Sequence, residues 1–315
     1  MTGMRSKWAL ALAMVAVLAV GPAVAAADGD GTVVGAGAIF QIGAGARPLA
    51  LGGAFAGVSE DENALFYNPA GLATLGRPGL TSFYSTQYQV VGYGALGLAL
   101  RKLGVGALYL NSPGIPGAGE GGEILPNFAY SNLAGLVGAA TELGPVAVGV
   151  RGKYLLVRSA ELVGGDEPDL GPAQGTGAAL DAGALVQLGP VRLGLVVENA
   201  VATPIRYSTG AVEAWERRLV AGASVRLRSL LLAADVESVG GHSQYYHAGA
   251  ELGLGLLALR GGITAPMGGD GEDAADSREL TAGIGLRLGS LQVDYAYLMP
   301  ATLPDSHRLS LALRF

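Results

Sequence analysis

From residue 79 onward, aliphatic residues recur at every second position with Gly, Ala, Arg or an acid between them. Val146, Val148, Val150, Tyr154 and Leu156 share one parity, and Ala147, Gly149, Arg151 and Lys153 the other. The same holds for Leu219 to Leu227 against Arg218 to Arg226, for Leu230 to Val236 against Asp235 and Glu237, and for Leu280 to Leu288 against Thr281 to Arg287. The last stretch sets Leu309, Leu311, Leu313 and Phe315 against Arg308, Ser310, Ala312 and Arg314. A period of two marks strands whose faces meet different surroundings, as when lipid lies on one side and a polar interior on the other. A soluble β-sandwich alternates too, but its solvent faces carry Lys, Glu and Thr, whereas the non-aliphatic parity here is mostly Gly, Ala and Arg.

Turn residues divide this pattern into strands. Short connections occur at 101–103, 143–145, 188–190, 228–229, 253–255 and 289–290, and longer polar ones at 111–132, 159–174, 200–215, 239–243, 264–277 and 299–306. The predicted strands are 79–88, 92–101, 104–110, 133–142, 145–158, 175–188, 190–199, 216–228, 230–238, 244–253, 255–263, 278–288, 290–298 and 307–315. That is an all-β chain of fourteen antiparallel strands. Short and long connections alternate, as in outer-membrane barrels with tight periplasmic turns and long external loops. The segment 123–131 has strand-like composition but is assigned to an external loop, because a further strand there would put every later connection on the wrong side.

Composition narrows the class. Gly supplies 52 of 315 residues, hydrophobic types 50% and charged types 15%, too apolar for disorder. After the first two dozen positions no apolar run is long enough for a transmembrane helix. The net charge of −6 gives no basic footprint for nucleic acid, and the absence of Cys removes disulfides, thiolate nucleophiles and Cys-ligated zinc. Arg5 and Lys7, the apolar stretch from Trp8 to Val20 and Ala23-Val24-Ala25 have the form of a secretory signal peptide, predicted at 1–25. Exported, acidic and yet apolar, the chain is expected in the outer membrane of a Gram-negative-type bacterium.

Residues 26–77 do not alternate. They contain Gly45-Ala46-Arg47-Pro48-Leu49-Ala50-Leu51-Gly52-Gly53-Ala54-Phe55, the acidic run Glu60-Asp61-Glu62-Asn63, and Asn68-Pro69-Ala70-Gly71-Leu72. With 193–199, 233–237, 294–297 and the ending at 307–315, these stretches resemble the PorV/PorQ family of outer-membrane proteins, a branch of the group that includes the long-chain fatty-acid transporter FadL. The resemblance implies a fourteen-stranded transmembrane β-barrel at 78–315 with 26–77 folded inside the lumen as a hatch. It implies a hatch motif of Gly52, Gly53, Asp61, Asn68, Pro69, Ala70 and Gly71. The chain is short for the secretion-associated members of that family.

Asn68-Pro69 can form a rigid turn, either as mere packing of the plug or as part of a gate. Gly52 and Gly53 permit close approach of the hatch to the wall. The inward parity carries Arg151, Lys153, Arg192, Arg226, Asp235, Arg260, Arg287 and Asp294 among its charges. These are expected to pair across strands and with the acidic run, the alternative being an electropositive lumen that guides a carboxylate. Phe315 reads as the signal for the barrel-assembly machinery.

No cofactor or metal motif is present. Asp270, Glu272, Asp273 and Asp276 do not match an EF-hand and read as a solvated loop. His242, His247 and His307 are scattered, and Asp305, His307 and Ser310 bear only a faint similarity to the triad of outer-membrane lipid hydrolases. Two functions are carried forward: passive uptake of small hydrophobic molecules such as fatty acids or hydrocarbons, and a non-transporting accessory of secretion or envelope assembly. Expected partners are outer-membrane lipid, the assembly machinery, an apolar small molecule or secretion-system proteins.

Overall fold

The computed structural model describes residues 36–87, 91–118, 124–163, 173–241, 243–267 and 278–315. The predicted signal peptide, residues 26–35, the tip of the first hairpin, His242 and the acidic loop of Asp270 to Asp276 lie outside the described residues. The strands are β1 (Gly79–Gln87), β2 (Val91–Leu100), β3 (Leu103–Ala118), β4 (Ile124–Leu143), β5 (Val146–Val163), β6 (Gln174–Leu188), β7 (Val191–Tyr207) and β8 (Val212–Glu213). They continue as β9 (Arg218–Leu227), β10 (Leu230–Val239), β11 (Ser243–Leu254), β12 (Leu257–Pro266), β13 (Glu279–Leu288), β14 (Leu291–Pro300) and β15 (Ser306–Arg314).

Each wall strand pairs antiparallel with its neighbours, and β1 closes the sheet on β15 through Gly79↔Arg314 to Ser85↔Arg308. The two-residue β8 folds back on β7 alone, while β7 pairs directly with β9 from Val191↔Val225 to Glu198↔Arg218. The wall is therefore a closed barrel of fourteen strands. Closure removes the unpaired edges that lipid cannot satisfy. Outward residues such as Leu96, Val105, Val137, Tyr154, Leu180, Leu311 and Leu313 are exposed, and inward ones on the same strands are buried. This is the apolar belt of a transmembrane barrel.

The short turns share one backbone requirement. Lys102, Gly144, Gly189, Arg228, Gly255 and Gly289 all have positive φ, between 56° and 72°, as tight hairpins demand. Lys102 and Arg228 take that conformation against the preference of a residue with a Cβ, at about 1–2 kcal/mol each.

One expectation is corrected. The segment 123–131, assigned to a loop, is strand from Ile124 onward: β3 and β4 continue upward through Ser112↔Tyr130, Ile115↔Phe128 and Gly117↔Leu125, with register shifts. Strand number is unchanged because both strands lengthen without a new one being added. Likewise β5 runs on to Val163 and β7 to Tyr207, into stretches assigned to loops. These extensions lengthen existing strands through continued backbone pairing, so the alternation of short and long connections is kept.

Residues 36–77 form four short helical pieces, at Ala36–Phe40, Ala46–Ala50, Ala64–Tyr67 and Pro69–Thr74. They pack against inward-facing residues of the wall, and Ala46, Ala50, Leu51, Ala54, Phe55, Leu65, Ala70 and Leu72 are fully buried there.

Candidate functional site

Little of segment 36–77 is regular, so many of its backbone groups have no partner within the segment. In a lumen these must be satisfied or they cost stability. Inward side chains of the wall do this. Ser310 Oγ accepts from Ala46 N at 3.1 Å, Thr281 Oγ1 donates to Ala50 O at 3.1 Å, and Asp235 Oδ2 accepts from Phe55 N and Ala56 N, each at 2.8 Å. Ser224 Oγ donates to Gly57 O, Arg192 to Val58 O, and Arg151 to Leu65 O and Phe66 O. Thr264 donates to Gly52 O at 2.7 Å, and His247 Nδ1 lies 2.8 Å from the same oxygen.

Close approach makes these bonds possible, and glycines make the close approach possible. A Cβ on Gly194 would sit 2.1 Å from Ala56 O, one on Gly262 2.2 Å from Gly52 N, and one on Gly149 2.5 Å from the Pro69 and Ala70 backbone. Gly249 faces Leu51 O at 2.4 Å in the same way. By contrast, outward Gly135 meets nothing within 4 Å. On the segment itself, Gly52 has φ +63° and would bring a Cβ within 2.6 Å of Ile263 O, and Gly53 has φ +80° beside the His247 ring.

Asn68 is completely buried. Its Oδ1 accepts from Ala70 N at 3.1 Å, and its Nδ2 donates to Ala56 O at 2.9 Å and to Ala184 O of β6 at 3.1 Å. The extended backbone of Asn68 (φ −134°, ψ 104°) is what a following Pro requires, and Pro69 begins the next helical turn. The side chain thus ties two parts of the segment to the wall. Ala70 packs on Ala147 and Leu185, and a Cβ on Gly71 would lie 2.2 Å from Ser59 O.

Most of the lumenal charges are paired. Arg47 is a hub: its guanidinium meets Glu251 at 2.7 Å, Asp61 at 2.7 Å and Glu60 at 2.9 Å. Glu251 also binds Arg260, which binds Asp294, each at 2.7 Å. Across the lumen Arg151 binds Asp181 and Glu198, Lys153 binds Asp181 at 2.9 Å, and Arg218 joins Glu198 to Glu237, where His247 Nε2 lies 3.0 Å away. Glu60 also takes Arg192 and Arg226, and Arg314 binds Glu62 at 2.8 Å. Burial alone would raise the Asp61 carboxyl, but Arg47 and Arg314 outweigh it and hold Asp61 below the ordinary range. Burial and the neighbouring Asp61 charge push Glu62 up despite Arg314. Each buried charge compensates its desolvation only while its partners remain.

Two cavities flank the segment, and no residue lines both. One, about 400 Å³, lies toward the long-loop end. Phe40, Ile42, Phe66, Tyr93, Leu108 and Leu136 form an apolar side, while Arg218, His247, Thr264, Glu279 and Arg308 form a charged one. The other, about 370 Å³, opens at the short-turn end between Arg47, Glu60, Asp61, Glu62, Arg77, Arg226, Glu251, Arg287 and Arg314.

The structure brings Gly52, Asp61, Asn68, Pro69, Ala70, Gly71, Arg151, Lys153, Asp235, Arg260 and Asp294 into this docked interior, with Gly53 and Arg192 partly covered. Arg226 and Arg287 lie at the exposed rim, and Phe315 is exposed at the base. Ser310 faces the lumen whereas His307 faces outward and hydrogen-bonds with Tyr295, so these two do not form a catalytic pair. Sequence reasoning missed Arg47 as a hub and Trp215, whose ring packs 5.6 Å from Phe40 and near Lys153. The acid-rich run fourteen residues after Arg47 was the available signal for the first. Among the described residues no cluster of His, Asp or Glu could hold a metal ion.

A closed transmembrane barrel whose lumen holds its own N-terminal segment is the class that fold and site define. The solved structure of the TodX monoaromatic hydrocarbon channel, a deltaS2 mutant, shares this fold at TM-score 0.56 and 14% identity, over 85% of this chain and 96% of that one. Mutants of Rh. blastica porin align over 76% of this chain and 99% of theirs, at TM-score 0.38 and 7% identity. No protein-family model matches the sequence, and no curated protein matches it.

Proposed function

We propose that the protein is an outer-membrane channel of the FadL-like kind, in the PorV/PorQ branch, that admits small hydrophobic molecules past a hatch formed by residues 26–77. The observation that carries this reading is the cavity of about 400 Å³ beside the docked segment, apolar on one side and charged on the other. Such a chamber suits a molecule with an apolar body and a polar end. The hydrocarbon named for TodX and the Asn68-Pro69-Ala70 motif support the same reading, as does the alternation of short and long connections that sets the short turns in the periplasm. A second reading, a non-transporting accessory of secretion or envelope assembly, is favoured by how thoroughly the wall grips the segment.

Uptake of labelled long-chain fatty acid and of toluene into proteoliposomes separates the two. Ile42→Trp fills the cavity from the segment without altering the wall. It should lower uptake by about tenfold or more while the barrel still shows heat-modifiable migration. Unchanged uptake in a correctly assembled variant would favour the accessory role.

A further inference from the structure

Basic residues left over after the lumenal pairing line the cavity at the short-turn end of the barrel. Every carboxylate lining the short-turn cavity is engaged: Glu60 by Arg47, Arg192 and Arg226, Asp61 by Arg47 and Arg314, Glu62 by Arg314, and Glu251 by Arg47 and Arg260. Arg77 and Arg287 line the same cavity, are exposed, and have no carboxylate within ion-pair distance among the described residues. Around them the turns present Arg101, Lys102 and Arg228, all exposed, with Glu142 the exposed acid on this side. The opposite end carries both signs at its surface, Glu216 and Asp305 together with Arg158, Arg206, Arg217 and Arg278. The short-turn end is therefore a cationic concave mouth.

We propose that this mouth docks an acidic, Asp/Glu-rich segment of a periplasmic protein. The assignment rests on the orientation given under the proposed function, which places the short turns in the periplasm. Three features select this occupant. Arg226 and Arg287 stand on the inward parity, whereas lipid contacts outward Leu286 and Leu288, so a lipid headgroup meets the wrong face. The cations are spread from the β2–β3 turn to the β9–β10 and β13–β14 turns, which suits an extended chain of carboxylates better than a single small anion. Unpaired guanidinium groups at a concave site also steer an oppositely charged partner.

The test uses the full-length protein in nanodiscs of zwitterionic lipid and a fluorescent ten-residue peptide alternating Glu and Ser, with a Gln-Ser peptide as control. The acidic peptide should bind and the control should not, and Arg77→Gln with Arg287→Gln should weaken binding by about tenfold at low salt, with 0.5 M salt abolishing it. Equal binding of both peptides, or no effect of the double variant, would overturn the proposal. So would a result in which, in a second set of nanodiscs containing anionic lipid, the double variant leaves peptide binding unchanged and lowers enrichment of that lipid around the barrel, which would assign these arginines to lipid. Impermeant thiol labelling of Arg287→Cys on intact cells tests orientation separately. Labelling from outside would invert the barrel and leave peptide binding itself standing, now on the outer surface.

Discussion

The two sides of the lumen hold the same segment by different means. Along β2 to β4 the wall offers Tyr93, Ala99, Leu108, Ala134 and Leu136, and the segment answers with side chains: Leu65, Phe66 and Leu72 fit over Gly97, Gly104, Gly106 and Gly138. From β5 round to β15 the wall offers charges, hydroxyls and glycines, and the segment answers with its backbone and with Arg47, Asp61 and Glu62. The apolar side is held by area removed from water, which is non-directional and tolerant of small shifts. The polar side is held by bonds with defined geometry and fixes where the segment lies. Any movement that opens a path is therefore expected first along β2 to β4, where the hydrogen bonds to the segment are those of the β2–β3 turn, from Lys102 N to Leu72 O and from Arg101 to Gly76 O.

The largest effect should come from filling the backbone contact on the polar side. Gly194→Val or Gly262→Val places methyl groups where Ala56 O and Gly52 N now sit, at 2.1 and 2.2 Å from the Cβ position. Overpacking against backbone should exceed the usual 1–3 kcal/mol, roughly, and expel the segment. Limited proteolysis should then cut within residues 44–75 while the barrel stays heat-modifiable, and Gly135→Val, on the outer face, should resist cleavage like the parent. Next comes Arg47→Ala, which strands buried carboxylates and should cost about 3–5 kcal/mol, part of it recovered as Asp61 loses the cation that holds it down and takes up a proton. The apolar counterpart, Leu72→Ala, should cost about 2–5 kcal/mol with no dependence on pH. A pH-independent loss in Arg47→Ala would erase the distinction between the two sides.

The wall was legible in the sequence because lipid enforces a period of two: Leu309, Leu311 and Leu313 could face only one way once Arg308 and Ser310 faced the other. Hairpin turns were legible because Gly144, Gly189, Gly255 and Gly289 satisfy a left-handed backbone. The strand character of 124–131 shows in its composition, but connection parity argues only against a new strand and is equally kept by a lengthened β3–β4 hairpin, which is what forms. The interior pairing was legible in kind but not in detail. Parity shows that Arg151 and Asp181 point inward, and their strands are neighbours, but Arg47 lies in a stretch with no period to locate it, and Glu251 meets it across 204 residues of chain.

The central claim is that residues 46–75 divide the lumen into two compartments with no shared lining. The chain has no cysteine, so single substitutions report cleanly. Thr264→Cys in the cavity at the long-loop end and Arg287→Cys at the short-turn mouth, each in protein reconstituted across a membrane, would be exposed to a charged, impermeant thiol reagent from one side at a time. Thr264→Cys should be modified only from the long-loop side and Arg287→Cys only from the short-turn side. Modification of either from both sides would show a continuous passage and contradict the account.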